Sequence, residues 1–523
     1  MRSFFSNWRD DIPASLVVYL VALPLCLGIA LASAGSEHLF SGIIAGVIGG
    51  IVVGFFSGAK VGVSGPAAGL ITIVTAGIIT LGSFEAFLVA VILSGVFQLL
   101  GGIFKVGIIG HYFPSSVIKG MLAAIGITLI LGQIPHAIGY DADFMGDESF
   151  VHPDQHNWFT ELLFAAKGIS PGAVCTSIVS LIILVLFDRP FFKKNALFKV
   201  LPGALFVVVL GIVFNVVSGI YFPAYKPSAN NLVQLPIAHS FSDISTFFVF
   251  PDFSILGNPN VYGVGLIIAF VGSIETLLSA EATDKLDPSK SRTPRNRELL
   301  AQGTGNILSG FLGGLPVTQV IVRSSANISA GGKTKLSAIV HGVLLILTAM
   351  LIPVVINKIP LASLAAILLM VGYKLSRLEL YRQMFKLGVE QYLPFIVTIL
   401  GVLFTDLLKG ISIGFIVAVY FILRNNYRNN FTQTSLHDAE HENYTINIQL
   451  SEVVTFINKG SILSMLNKLP ENAEVTIIGT KCKAIDYDVL EVIHDFRMHG
   501  AKLKNIQLLL LDIPSVTNTN NTH

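Results

Sequence analysis

The sequence predicts a polytopic α-helical membrane protein carrying a small α/β domain at its C-terminal end. Three observations lead there. Of 523 residues, 53% are apolar and only 13% charged, against about 25% charged in a soluble globular chain. Mean hydropathy is +0.72, and apolar runs approaching the roughly 20 residues that span a bilayer recur from Ile12 to about Leu423. Beyond Arg424 the chain turns polar and then alternates as strands and short helices do.

Taken in order, about 14 membrane segments are expected by hydropathy. They lie near 13–33, 38–56, 65–81, 85–104, 114–133, 169–187, 200–217, 260–281, 298–313, 318–330, 335–357, 359–373, 391–407 and 410–424. The third, ninth and tenth are short for a span. With the N-terminus inside, the predicted inner connections collect Lys60, Lys105, Arg189, Lys193, Lys194 and Lys199, then the cluster from Lys285 to Arg297. Lys333, Lys335, Lys374, Arg377, Arg382 and Lys386 follow on the same side, whereas the outer connections hold little beyond Lys167, Lys226, Lys358 and Lys409. This asymmetry obeys the positive-inside rule, and a missed helix would invert it downstream.

The expected organisation is a cytoplasmic N-terminus (1–12), a membrane domain (13–424), a linker (425–443), an α/β domain (444–513) and a disordered tail (514–523). The N-terminus reads as a retained cap on the first helix, because two acids precede the apolar run and no small-residue cleavage site follows. The outer connection at 134–161 contains His136, His152 and His156 without metal-ligand spacing, and reads as a solvated loop. A second, at about 218–258, reads as an outer cap. Cys26, Cys175 and Cys482 are far apart and read as buried thiols. Net charge of +2 gives no reason for a nucleic-acid partner. No nucleophile–base pair, phosphate loop or metal spacing supports an enzyme or a cofactor.

Two breaks and two charges carry the functional reading. VSGPAAGL (63–70) cannot run through an ordinary helix, so a helix is expected to begin there, with Ser64 as N-cap and Pro66 in the first turn. GGLPVTQVIVRSSANISAGGKT (313–334) repeats the device, with Val317 or Thr318 opening a half-helix. A helix N-terminus inside a membrane must line a cavity, and its exposed N–H groups favour an anion. Glu275 sits in an apolar run from Gly263 to Leu277, and Arg323 follows the second break. Intramembrane charges face the protein interior and pair with something; for Arg323 the candidates are a permeating anion, Glu275, or both. The basic cluster at 285–297 reads as a topology signal and lipid-facing patch. Gly49-Gly50 and Gly101-Gly102 read as sites of tight helix packing. The breaks lie at corresponding places in two halves of seven helices each, which points to a site between inverted repeats.

These residues resemble the SulP family of inorganic-anion transporters, relatives of the vertebrate solute-carrier anion exchangers and prestin. The resemblance rests on VALPLCLGIALA in the first helix, VSGPAAGL, SIETLLSA, NRELLAQGTGNILSGFLGGLPV (296–317), and the arginine followed by NISAGGKT. The tail resembles a STAS domain through AIDYDVLEVI. The resemblance implies core and gate domains, elevator-like movement, a homodimer and a plasma-membrane location with both termini cytoplasmic. It implies an anion site made by Ser64, Gly65, Pro66 and Ala67 on one side and Val317, Thr318 and Arg323 on the other. Glu275, with Ser279 one turn on, takes the family's coupling position. Sodium-coupled bicarbonate members carry aspartate there, so Na+ coupling, proton coupling and anion exchange all stay open. Asp486 is followed by Tyr487 rather than serine, which argues against a phosphoserine switch. Bicarbonate and sulfate are the expected anions. Alternatives are a nucleobase permease of the same architecture, and a membrane anchor or sensor whose STAS-like domain binds a cytoplasmic partner.

Overall fold

A computed structural model describes residues 7–140, 158–165, 168–189, 202–235, 247–428, 431–438 and 443–514. The chain divides into two compact units, Met1–Phe415 and Ile416–His523. His152, His156, part of the expected outer cap (236–246) and all but the first residue of the expected tail lie outside the described residues.

The first half of the membrane region contains α1 (Trp8–Ala34), α2 (Leu39–Ile48), a short strand β1 (Ser64–Pro66), α3 (Ile71–Leu81), α4 (Phe84–Ile103), α5 (Ser115–Ile138), α6 (Pro171–Phe187) and α7 (Gly203–Tyr221). The second half repeats the order with α8 (Pro259–Leu286), α9 (Arg295–Leu312), β2 (Val317–Gln319), α10 (Ile321–Ser329), α11 (Leu336–Leu351), α12 (Leu361–Leu375), α13 (Val389–Phe404) and α14 (Leu407–Arg428). Each expected segment therefore corresponds to a helix among the described residues. Among the described residues, eight helices are long and apolar enough to cross a membrane, and four more are apolar but shorter. Their outward faces stay apolar, as at Ile178, Val179 and Ile182 on α6 and Leu266, Ile267 and Phe270 on α8. That pattern suits a lipid solvent.

The two breaks differ from expectation. Ser64 does not cap a helix: Ser64–Pro66 is extended, a 3-10 turn follows at Ala68–Leu70, and α3 starts at Ile71. Nor do Val317 and Thr318 open a half-helix, since Val317–Gln319 is extended and α10 starts at Ile321. The reason is pairing. β1 and β2 lie antiparallel, with Ser64 opposite Gln319, Gly65 opposite Thr318 and Pro66 opposite Val317. A backbone that cannot be helical at its prolines is satisfied by a partner strand from the other half.

Helix α2 closes on this pair through glycine. It widens into a π turn at Gly49–Val53 before ending at Phe56. A methyl group on Gly49 would lie 2.7 Å from the Gly65 nitrogen, and one on Gly50 would lie 2.7 Å from the His341 ring. Gly49→Ala must therefore push β1 away, at about 1–3 kcal/mol for overpacking. We expect a lowered melting temperature; a variant with unchanged melting would show that the approach is not tight.

The N-terminus is pinned to the second half. Asp11, fully buried, accepts from Lys333 N at 2.7 Å, Thr334 N at 3.0 Å and Thr334 Oγ1 at 2.5 Å. Three further expectations need correction. Helix α5 runs on through Pro135 and His136 to Ile138, so His136 is a buried helical residue rather than part of a solvated loop. Cys175 is exposed on α6, whereas Cys26 is buried and Cys482 half-buried. Arg295 belongs to no lipid-facing patch: it is buried and ion-paired with Glu281 and, at 3.0 Å, with Asp284.

In the second unit, a four-stranded sheet has the order β3 (Phe431–Asp438), β4 (Asn443–Leu450), β6 (Glu474–Ile478), β8 (Gln507–Leu511). A two-stranded parallel pair, β5 (Val453–Val454) with β7 (Ala484–Ile485), accompanies it. Helices α15 (Lys459–Asn467) and α16 (Tyr487–Asp495) bury Ile462, Leu466, Val489 and Ile493 in a core with Ile446, Ile448 and Ile477. The expected linker at 425–443 is not one throughout: α14 continues to Arg428, and β3 pairs antiparallel with β4. Asp486 caps α16 by accepting from Asp488 N at 3.0 Å.

Candidate functional site

The crossing of β1 and β2 organises the site. Because the strands are antiparallel, the helices that follow them leave from opposite ends of the pair. Both helix N-termini therefore stay within a few residues of the crossing. Ala67 and Val320, the last extended residues before each turn, have φ, ψ of −113°, 132° and −116°, 135°. Ser64, Gly65, Pro66, Ala67, Val317 and Thr318 are all buried there. The partial positive ends of two helices so converge on one place.

Arg323 lies in the first turn of α10 and is 1% exposed. Its Nη1 lies against Gly65 so closely that a side chain at position 65 would have to displace the guanidinium. Gly46, with Cys26 Sγ beside it, lies on the same side. No carboxylate pairs with the guanidinium among the described residues, and neither Nη1 nor Nη2 has a hydrogen-bond partner. Glu275, one of the candidate partners of Arg323, is not hydrogen-bonded to its terminal nitrogens. A buried, unpaired guanidinium costs several kcal/mol unless something anionic compensates it.

Glu275 sits on the other flank. Its carboxyl group packs against Gly69 in the turn that opens α3: a methyl at position 69 would lie 3.2 Å from Oε1. Glu275 and Ser279, one turn apart on α8, line a narrow cavity of about 20 Å³, room for roughly one water. Its other walls are largely apolar, from Met121 on α5, Ile274 and Leu278 on α8, and Leu407, Leu408 and Ile411 on α14. Helix α8 also reaches β2 directly, for Thr276 Oγ1 accepts from Gln319 N at 3.3 Å. The structure thus brings the expected residues together around one crossing, Arg323 on one side and Glu275 on the other.

Sequence reading missed a set of buried amides that hold the crossing. Asn306 on α9 binds both backbone groups of Val317: its Oδ1 accepts from Val317 N at 2.6 Å and its Nδ2 donates to Val317 O at 3.1 Å. Gln98 on α4 accepts from Asn306 Nδ2 at 2.7 Å, and Gln319 donates to Thr283 Oγ1 at 3.2 Å. The signal was present. Glu298, Gln302 and Asn306 recur every fourth residue on α9, a polar stripe that in a membrane helix must face protein.

A polytopic helical fold whose two halves each break at an extended triplet, with the buried Arg323 guanidinium beside the crossing of the two, defines a secondary-transporter class of membrane protein. The chain belongs to the sulfate permease family, whose description matches residues 8–398. It is 28% identical to the putative sulfate transporter YvdB of Bacillus subtilis (strain 168), covering 97% of this chain and 92% of that one. It is also 28% identical to the bicarbonate transporter BicA of Picosynechococcus sp., over 79% of this chain and 70% of that one. Among solved structures it resembles the transmembrane domain of a cyanobacterial BicA, with a TM-score of 0.54 and 22% identity, over 79% of this chain and 98% of the other. It also resembles the murine Slc26a9 anion transporter, with a TM-score of 0.66 and 14% identity, over 98% and 86%. The last two likenesses establish the fold. The protein is a multi-pass membrane transporter, not an enzyme.

Proposed function

We propose that this protein is a secondary transporter of a small inorganic anion, bicarbonate or sulfate. The observation that carries this reading is Arg323, a buried guanidinium beside the β1–β2 crossing whose two terminal nitrogens have no hydrogen-bond partner among the described residues. The anion binds between Ser64–Ala67 and Val317–Thr318, where two helix N-termini and Arg323 replace its hydration shell. Glu275, with Ser279, carries the coupling cation. The side chains lining their cavity offer one carboxylate and one hydroxyl among mainly apolar walls, a setting in which the carboxyl group can carry a proton. Movement is elevator-like, with α3, α8 and α10 carrying the site past Met121, Leu408 and Ile411. The working unit is a homodimer in the plasma membrane with both termini cytoplasmic, and the STAS-like unit offers a surface to a cytoplasmic partner.

The test is uptake of radiolabelled bicarbonate and of sulfate into proteoliposomes, with sodium and pH gradients imposed separately. We expect saturable uptake of one of the two anions, stimulated by a pH gradient. Uptake of neither anion above protein-free liposomes would refute the reading, and stimulation by sodium alone would refute proton coupling.

A further inference from the structure

The crossing strands supply backbone dipoles, but Ser64 adds a hydroxyl whose hydrogen-bond polarity is set from outside the site. Ser64 Oγ accepts a hydrogen bond from Gln302 Nε2 at 2.8 Å. The same Nε2 donates its second hydrogen to Glu298 Oε1 at 3.1 Å, one turn back on α9. The other carboxylate oxygen of Glu298 accepts from Ser57 Oγ, which itself accepts from Ala59 N at 2.9 Å. Glu298 and Gln302 are fully buried.

The direction of each bond in this chain follows from the one before it. Ser57 Oγ accepts from Ala59 N on one lone pair and gives its single hydrogen to Glu298. Glu298 accepts through both oxygens, from Ser57 and from Gln302, so Gln302 presents its NH2 rather than its carbonyl. Gln302 keeps that orientation although it leaves Oε1 buried without a partner. A bare amide would avoid this loss, worth about 1–3 kcal/mol. With Gln302 donating, Ser64 Oγ is an acceptor on that side, and its own hydrogen is left for the crossing.

From this geometry we infer that Glu298 and Gln302 are positioning residues that hold the Ser64 hydroxyl as a donor toward the anion. They thereby determine specificity for an anion without touching it. The inference rests on the anion-transport reading above. It assigns Glu298 a role different from that of Glu275: it sets hydrogen-bond direction and does not load a cation.

A thermodynamic cycle in proteoliposomes tests it. Glu298→Gln keeps the size of the side chain but lets the amide of Gln302 turn over, and Ser64→Ala removes the hydroxyl. Each single variant is expected to raise the half-saturation concentration for the transported anion by roughly tenfold, the scale of one hydrogen bond to a charged group. A matching fall in maximal rate is not expected. The double variant is expected to be no worse than Ser64→Ala alone, because both changes remove the same donor. A merely structural Glu298 would give multiplied losses and a lower melting temperature, and that result would overturn the inference. Normal half-saturation in Glu298→Gln, with intact uptake by the unsubstituted protein, would overturn it while leaving the transport reading standing. Absence of saturable uptake by the unsubstituted protein would overturn both.

Discussion

Replacing Arg323 by methionine is expected to raise the half-saturation concentration for the transported anion by about ten- to a hundredfold, the equivalent of one or two charge-assisted hydrogen bonds. The guanidinium is buried, unpaired and held over Gly65 at the crossing, so its charge acts on whatever binds there. The same substitution is expected not to lower, and even to raise, the melting temperature of the anion-free protein. Removing an unpaired buried charge relieves desolvation, while methionine keeps most of the volume. The anion should reverse that order. At a hundredfold its dissociation constant, a ligand stabilises the folded state by about 2.7 kcal/mol, and only the unsubstituted protein should show that gain. Paired melting and uptake curves, with and without anion, check both halves. An unaltered half-saturation concentration, or equal anion stabilisation in the two proteins, would remove Arg323 from the site.

Replacing Glu275 by glutamine is expected to abolish stimulation of uptake by an imposed cation gradient while sparing exchange of anion for anion. Glutamine keeps the shape of the side chain against Gly69 and the adjoining cavity, but it neither ionises nor accepts a proton in this range. The charge balance also changes in a definite direction. Without the carboxylate, Arg323 and the helix ends face the anion with no opposing charge, so anion affinity should hold or improve. Gradient-driven uptake and counterflow, measured on one preparation, separate the two functions. Full gradient stimulation in Glu275→Gln would place the coupling elsewhere.

The helices of this protein are legible in its sequence because each is a long apolar run bounded by glycine, proline or charge. Their order in two matching halves is legible from the breaks at Gly65-Pro66 and Leu315-Pro316. The meeting of those breaks is not. Three-residue strands are too short for a two-residue periodicity, and the partners Ser64 and Gln319 lie far apart in the chain. Helix onset was misplaced for the same reason, since proline marks where a helix cannot be but not what replaces it. The inward turn of Arg295 to Glu281 and Asp284 is not legible in the sequence, because it stands in a cluster of like charges. Strand β3, FTQTSLHD, reads as linker in the sequence because its polar composition carries almost none of the apolar alternation that marks a strand. The charges at 275 and 323 were the readable part of the site; the amides that hold it needed the structure.

In the proposed function the anion sits at the β1–β2 crossing. Ala68, half-buried in the turn that opens α3, stands beside that crossing. The most direct measurement is the rate at which a negatively charged thiol reagent modifies Ala68→Cys, with Cys26, Cys175 and Cys482 replaced by alanine. Saturating transported anion is predicted to slow the modification at least severalfold, while an anion that is not transported leaves it unchanged. Equal rates with and without the transported anion, in protein that still takes it up, would place the site elsewhere.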